Sequence, residues 1–250
     1  MTDAVRYLIL SDIHANIDAL EAVLSAADGT WERLLVLGDL VGYGGEPNGV
    51  IDRIRALEPF AIIRGNHDKA ACGLEDASNF NQIARYAAVW TGETLTPENR
   101  EYLRNLPSGP LNIDDRVEIC HGSPFDEDHY IFDAEDALRA IEAGERQLCL
   151  FGHTHLPVVF QLHGDTFGGF VPEGEAETTI ALQDGVRYVV NPGSVGQPRA
   201  GDPRAAFAIY DSESASLVLR RVPYPVDAAQ RRILVAGLPA SLANRLAVGR

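Results

Sequence analysis

Positive charge is scarce in this 250-residue chain: 21 Lys and Arg face 36 Asp and Glu, a formal net charge of −15. A surface that acidic argues against sequence-blind binding to long nucleic acid, which needs a basic face for the phosphates. Lysine itself is almost missing. Lys69 is the sole one, so the cationic side chains are nearly all guanidinium. This bias reads first as a composition habit of the source genome and only second as phosphate recognition by arginine. The three cysteines, Cys72, Cys120 and Cys149, are an odd number without C-x-x-C spacing. That speaks against a disulfide framework and a thiolate zinc site and leaves them as small buried hydrophobes. No apolar run approaches the roughly 18 residues of a membrane span, and the start MTDAVRYLILSDIH lacks a basic region ahead of a signal-peptide core. The expected location is the cytoplasm, with no membrane association.

What is present suffices to fold, because 46% hydrophobic and 23% charged residues place the chain among globular proteins. Residues 5–10, VRYLIL, are a short apolar run that reads as a buried strand, followed by a helix over about 17–27. A strand at 34–37, a helix at 47–57 begun by Pro47, and a strand at 60–63 continue an alternation that implies parallel pairing with crossover helices. Two helices are predicted within 79–106, divided where Thr96 caps and Pro97 starts the second. A hairpin at 111–120, a helix at 133–143 and a strand at 147–151 follow. Beyond residue 156, strands at 158–162, 178–182, 186–190, 205–210 and 216–221 read as an antiparallel layer, and 164–177 reads as a mobile excursion. There is neither an internal repeat nor a linker-like composition break. The expectation is one domain over 1–250 with a C-terminal helical tail at about 226–250, broken at Gly237-Leu238-Pro239.

Five short phrases carry the chemistry: Asp12-Ile13-His14, Gly38-Asp39, Gly65-Asn66-His67-Asp68, His121-Gly122 and Gly152-His153-Thr154-His155. Each starts near the predicted C-terminal end of a strand, where open α/β sheets place their ligands. In extended backbone, residues two apart point the same way, so Asp12 with His14, and His153 with His155, are each expected to aim at one point. Four imidazoles, two carboxylates and one amide are too many for a four-coordinate structural zinc and suit two adjacent metals. Nitrogen and oxygen donors without thiolate fit divalent Mn, Fe, Zn, Co or Ni. Singly, Asp12 reads as well as a helix cap, Gly65-Asn66 as a turn, and His153 as a core histidine. Together they do not, since even one G-N-H-D has a chance of only roughly 0.2% at this composition.

This ordered set of D-x-H, G-D, G-N-H-D, H-G and G-H-T-H resembles the signature of the calcineurin-like metallophosphoesterase superfamily. The loop Asn191-Pro192-Gly193-Ser194-Val195-Gly196-Gln197-Pro198-Arg199 is similar to one in its compact prokaryotic, phosphodiesterase-like branch. The resemblance implies an α/β fold, a four-layer αββα sandwich of two mixed β-sheets flanked by helices, with a dinuclear metal site at the C-terminal strand ends. It further implies that Asp12, His14, Asp39 and His155 bind one metal. Asp39, Asn66, His121 and His153 would bind the other, Asp39 would bridge, and His67 would be the catalytic histidine. Protein phosphatases of the superfamily carry Asp-Arg-Gly in the second motif and Glu after the histidine of the third. Here Gly38-Asp39-Leu40 and Asp68 stand instead, which disfavours a phosphoprotein substrate.

The implied activity is hydrolysis of small phosphodiesters or phosphomonoesters, with a hydroxide bridging two divalent ions as nucleophile. His67 would assist the leaving oxygen, with Asp68 or Asp12 as its orienting partner. Arg199 is the first candidate for holding substrate phosphate, ahead of Arg64 and Arg204, each of which reads as well as a salt-bridged surface arginine. Residues 125–132 are a candidate rim or lid. Within it His129 reads as a loop histidine, and His163 reads as part of a turn. Two other readings stand beside this one, a dinucleoside polyphosphate hydrolase and an inactive scaffold that retains the fold. Two divalent ions would gather four positive charges at one sheet edge, so the acidic remainder disfavours long polyanions rather than phosphate chemistry itself.

Overall fold

The computed structural model describes residues 4–172 and 174–250. Alternating apolar stretches and capped helices build its first half. Strand β1 (Arg6–Leu10) pairs in parallel with β2 (Arg33–Val36), which pairs in parallel with β3 (Ala61–Ile62). Helix α1 (Ile17–Ala26) crosses from β1 to β2. Its N-terminus is closed by the Asn16 side chain, which accepts from the Ala19 N–H at 3.1 Å, and its Ala19, Leu20, Val23 and Leu24 face is buried. Helix α2 (Pro47–Ala56), with proline in its first turn, crosses from β2 to β3. Helices α3 (Asn66–Cys72), α4 (Gln82–Thr94) and α5 (Pro97–Arg104) follow, the last capped by Thr96 as expected. Strands β4 (Leu111–Asn112) and β5 (Val117–Ile119) form the hairpin. Helix α6 (Ala134–Ala143), capped by Asp133, precedes β6 (Leu148–Leu150), parallel to β5.

The later strands depart from the expected single antiparallel layer. Strands β7 (Val158–His163), β8 (Thr166–Phe170) and β10 (Val186–Asn191) extend the second sheet, whereas β9 (Glu177–Ala181), β11 (Ala205–Asp211) and β12 (Ser216–Val222) extend the first. Both sheets are six-stranded and mixed. Their orders are β3-β2-β1-β11-β12-β9 and β4-β5-β6-β10-β7-β8, with β10 parallel to β6. Part of the stretch read as a mobile excursion is strand β8. It pairs with β7 from His163↔Thr166 to Val159↔Phe170, and the turn is Gly164-Asp165. Gly168 and Gly169 had hidden it, because glycine weakens the apolar pattern by which a strand is read.

Period-two alternation divides each sheet's side chains between two cores. Tyr7, Ile9, Leu35 and Leu37 of the first sheet meet Val117, Leu148, Leu150, Tyr188 and Val190 of the second in an inner layer. Leu8, Leu10, Leu34 and Val36 point outward onto α1, α2, α4 and the C-terminal helices α7 (Val226–Val235) and α8 (Ala240–Leu246). Cys149, Phe151 and Val189 point outward beneath α6. The layers are thus helix, sheet, sheet, helix. The ends of β1, β2, β3, β5 and β6 deliver the five polar phrases to the edge where the sheets meet.

Candidate metal centre

Asp12, His14, Asp39 and His155 are all buried, and each offers one ligand atom within 4.8 Å of the others; Asp39, His121 and His153 form a second such group. Asp39 belongs to both. Its Oδ2 lies 3.5 Å from His14 Nε2 on one side and 3.5 Å from His121 Nε2 on the other, while Oδ1 accepts from the His67 N–H at 2.9 Å. Asn66 joins the second group, its Oδ1 standing 3.3 Å from His121 Nε2. Asp12 Oδ1 lies 3.4 Å from His155 Nε2 and also accepts from the His153 N–H, and its other oxygen accepts from Ser11 Oγ at 2.7 Å.

Asp12 and His14 aim at one point, but His153 and His155 fall into different groups, contrary to the expectation from extended backbone. Asp12, His14, Asp39, His153 and His155 all have φ between 47° and 66°, so the first, second and fifth phrases leave their strands in left-handed backbone, where alternation no longer says which way a side chain points. Such backbone is unfavourable for non-glycine residues, and strain of this kind gathers at functional sites. Gly65 makes the close approach possible, since a Cβ there would overlap the Asp39 carboxylate.

Every imidazole of the two groups spends one nitrogen on a backbone carbonyl. His14 Nδ1 donates to Val41 O at 2.8 Å, His121 Nδ1 to Leu37 O at 2.8 Å, His155 Nδ1 to Gln197 O at 2.7 Å and His153 Nε2 to Asp128 O at 3.0 Å. A carbonyl only accepts, so those nitrogens carry the protons and the tautomers are fixed. The remaining nitrogens turn inward in pairs: His14 Nε2 to His155 Nε2 at 3.0 Å, and His153 Nδ1 to His121 Nε2 at 3.1 Å. Burial holds His14, His153 and His155 well below the ordinary imidazole range, which leaves their inward nitrogens as lone pairs. Burial opposes charge on His121 too, yet the Asp39 carboxylate raises it to about 10, so the second group favours a positive charge at its centre. Burial, with Asp39 beside it, pushes Asp12 up to about 6. Facing lone pairs with carboxylate oxygens between them fit divalent cations.

His67 stands next to both groups without joining either. Its ring centroid lies 5.0 Å from that of His14, 4.3 Å from Tyr43 and 4.7 Å from Phe80, and its Nδ1 is buried with no hydrogen-bond partner. Burial lowers it to about 4, so it is uncharged at neutral pH. Neither Asp68 nor Asp12 orients this ring. Asp68 Oδ2 accepts from the Gly65 N–H at 2.9 Å and Oδ1 from the Val41 N–H at 3.2 Å, so it ties two of the ligand loops together through their backbone. Burial, then Asp39, pushes Asp68 up to about 7. The residue at the third position of α3 is a capping group, and the helix itself was not read from the sequence.

Of the arginine candidates, Arg64 pairs with Glu127 at 3.0 Å and Arg204 with Asp202 at 2.6 Å. Arg199 donates to Gln197 Oε1 at 2.8 Å and keeps a buried Nε without a partner. His129 pairs with Asp136 at 2.8 Å and belongs to neither ligand group. The same loop, 123–131, does reach the site through Tyr130, whose ring stacks on His153 with centroids 3.8 Å apart. The Asn191 side chain donates to Gly152 O at 2.7 Å, and Ser194 Oγ donates to Asp12 O at 2.8 Å, so the Asn-Pro-Gly-Ser loop ties the phrases of both sheets together. A cleft of about 420 Å³ opens in front, walled by Asn66, His67, Tyr43, Phe80, Tyr130 and His153. The three aromatic residues were not singled out from the sequence, although Tyr130 lies within the stretch 125–132 that was. The cysteines are free and buried, as expected.

Comparison with known proteins agrees with this geometry. A model of the calcineurin-like phosphoesterase superfamily domain matches residues 5–215. An uncharacterized protein of Methanocaldococcus jannaschii is 32% identical over 97% of both chains. The crystal structure of a metallophosphoesterase from Sphaerobacter thermophilus is 39% identical, covers 99% of this chain and 100% of its own, and superposes with a TM-score of 0.87. The phosphodiesterase YfcE of Escherichia coli is 24% identical over 86% of this chain and 91% of its own.

Proposed function

The chain belongs to the calcineurin-like phosphoesterase superfamily, and on that premise we propose that it hydrolyses small phosphodiesters or phosphomonoesters with divalent metal ions as cofactors. One observation carries the reading: two buried ligand groups share Asp39, and in the first of them the inward nitrogens of His14 and His155 face each other as lone pairs. In this reading Asp12, His14, Asp39 and His155 hold one ion, and Asp39, Asn66, His121 and His153 hold the other. Bound there, Mn, Fe, Zn, Co or Ni supplies Lewis acidity and water activated near neutral pH.

The chain's own residues do the rest. The backbone carbonyls of Val41, Leu37, Gln197 and Asp128 fix the four imidazoles before substrate arrives, so no reorganisation is needed at the moment of reaction. His67 meets the leaving oxygen. Its Nδ1 packs against Gly42 without a hydrogen-bond partner, so the ring donates through Nε2 to the oxygen on which charge develops. Arg199 holds a non-bridging phosphate oxygen, because among these arginines it alone lies near the imidazoles without a carboxylate partner. Tyr130 and Phe80 wall the cleft and shed water from it. The test is hydrolysis of bis(p-nitrophenyl) phosphate across Mn, Ni, Co, Zn and Fe. Activity with one of these metals that disappears in Asp39→Asn supports the reading, and inactivity with all of them favours a scaffold.

A further inference from the structure

A second groove, of about 490 Å³, opens beside the cleft in front of His67. Tyr43 and Asn81 line both, so the two adjoin. The outer wall comes from the start of α4 and from α8, and Arg245 of α8 is its one charged side chain. Arg245 Cζ lies 6.0 Å from the centroid of the Tyr43 ring, and Arg199 Cζ lies 5.8 Å from the same centroid. Two guanidinium groups therefore approach one ring at the mouth of the site. Their hydrogen bonds run to Gln197 Oε1 and to the backbone oxygen of Arg250, and among the described residues neither forms an ion pair with an Asp or Glu side chain. Arg64, Arg204 and Arg232 all do. Burial, with Arg199 nearby, disfavours the Arg245 charge. Two like charges brought to one ring, neither paired with an Asp or Glu side chain, favour an anion beside them.

We propose that Arg245 forms a second anion subsite, reached from the Asp and His groups past Arg199 and along Tyr43, that selects substrates carrying a second phosphoryl group beyond the one Arg199 holds. The inference rests on the phosphoesterase reading and names its substrate class, phosphate esters with two or more phosphoryl groups. Guanidinium is suited to the task, since its planar fork grips two phosphate oxygens at once. The supply of Arg245 by α8 also gives the C-terminal helices a part in specificity.

The experiment compares AMP with ADP, as competitive inhibitors of bis(p-nitrophenyl) phosphate hydrolysis and by calorimetric binding to the metal-loaded protein. The wild type is expected to bind ADP at least about tenfold more tightly than AMP, the scale of one charge-assisted contact. Arg245→Gln should bring ADP to the AMP level while AMP affinity, diester turnover and melting temperature stay unchanged. An ADP preference that survives in Arg245→Gln, a wild type without preference, or a parallel loss for both nucleotides overturns the proposal. Calorimetry needs no turnover, so a wild type inactive on the diester would count against the phosphoesterase reading while the nucleotide comparison still decides the subsite.

Discussion

The Nε2 atoms of His14 and His155 face each other at 3.0 Å, and each ring has already committed its Nδ1 proton to a backbone carbonyl. Two lone pairs at that distance repel, and a cation between them converts repulsion into two bonds. Metal should therefore stabilise the fold strongly. Binding at a thousandfold excess over Kd is worth about 4 kcal/mol, which for a chain of this size corresponds to a melting temperature roughly 10 °C higher. Scanning calorimetry before and after chelation measures this. A melting temperature unmoved by Mn, Zn or Ni would contradict the assignment of the site.

The His67 ring makes no hydrogen bond to a ligand atom, so its removal separates chemistry from metal binding. His67→Ala should retain full metal content by elemental analysis and lose about 10²- to 10⁴-fold in turnover on a diester with an alkoxide leaving group. The loss should be smaller with nitrophenolate, which departs without help. Equal turnover on the alkoxide ester would remove His67 from this role.

The only lysine of the chain is buried, at 2% side-chain exposure, with Nζ 2.6 Å from Asp128, 3.0 Å from Glu75 and 3.1 Å from Glu127. It fastens α3, which carries Asn66 and His67, to the loop whose Asp128 carbonyl and Tyr130 ring brace His153. Burial works against its charge, but the hydrogen bonds to the three carboxylates win and raise its pKa above the ordinary lysine value of 10.5. The folded state thus holds this proton more tightly than the unfolded one. The stability it contributes is complete below about pH 10.4 and is lost as pH rises beyond that value. Urea unfolding at pH 9 and pH 11 should show that decline, and Lys69→Met should lessen it. Because Glu75 and Asp128 are half exposed and can rehydrate, the substitution should cost about 2 kcal/mol rather than the full penalty of a broken buried pair.

The five phrases were legible in the sequence because each is a local string of chemically distinctive residues at the end of an apolar run. Their division into two groups was not legible from residue spacing. Left-handed backbone at Asp12, His14, His153 and His155 takes all four out of strand geometry, so alternation does not say which pair converges and which divides. The distribution of the late strands over two sheets was hidden for a related reason, since period-two patterning reports that a strand is half buried but not which partner covers it. Tyr43, Lys69, Tyr130 and Arg245 gain meaning from contacts between segments far apart in sequence, such as Tyr130 with His153 and Lys69 with Glu127 and Asp128. A single sequence carries no trace of those.

Two glycines test the site without touching its chemistry. Gly42, at φ 90°, lies against His67, and a Cβ there would overlap the imidazole at Nδ1; Gly65 lies against Asp39. Gly42→Ala should displace His67, leave both ligand groups in place, and also carry the cost of a left-handed alanine, about 1 kcal/mol. Gly65 has φ −107°, which any residue adopts, so Gly65→Ala carries a steric conflict alone. That conflict falls on the carboxylate both groups share. Gly65→Ala should therefore lose metal by elemental analysis and lose the stabilisation that metal confers, whereas Gly42→Ala should keep the metal and lose turnover. If both variants kept full metal content, Asp39 would not be the shared ligand that its position between His14 and His121 indicates.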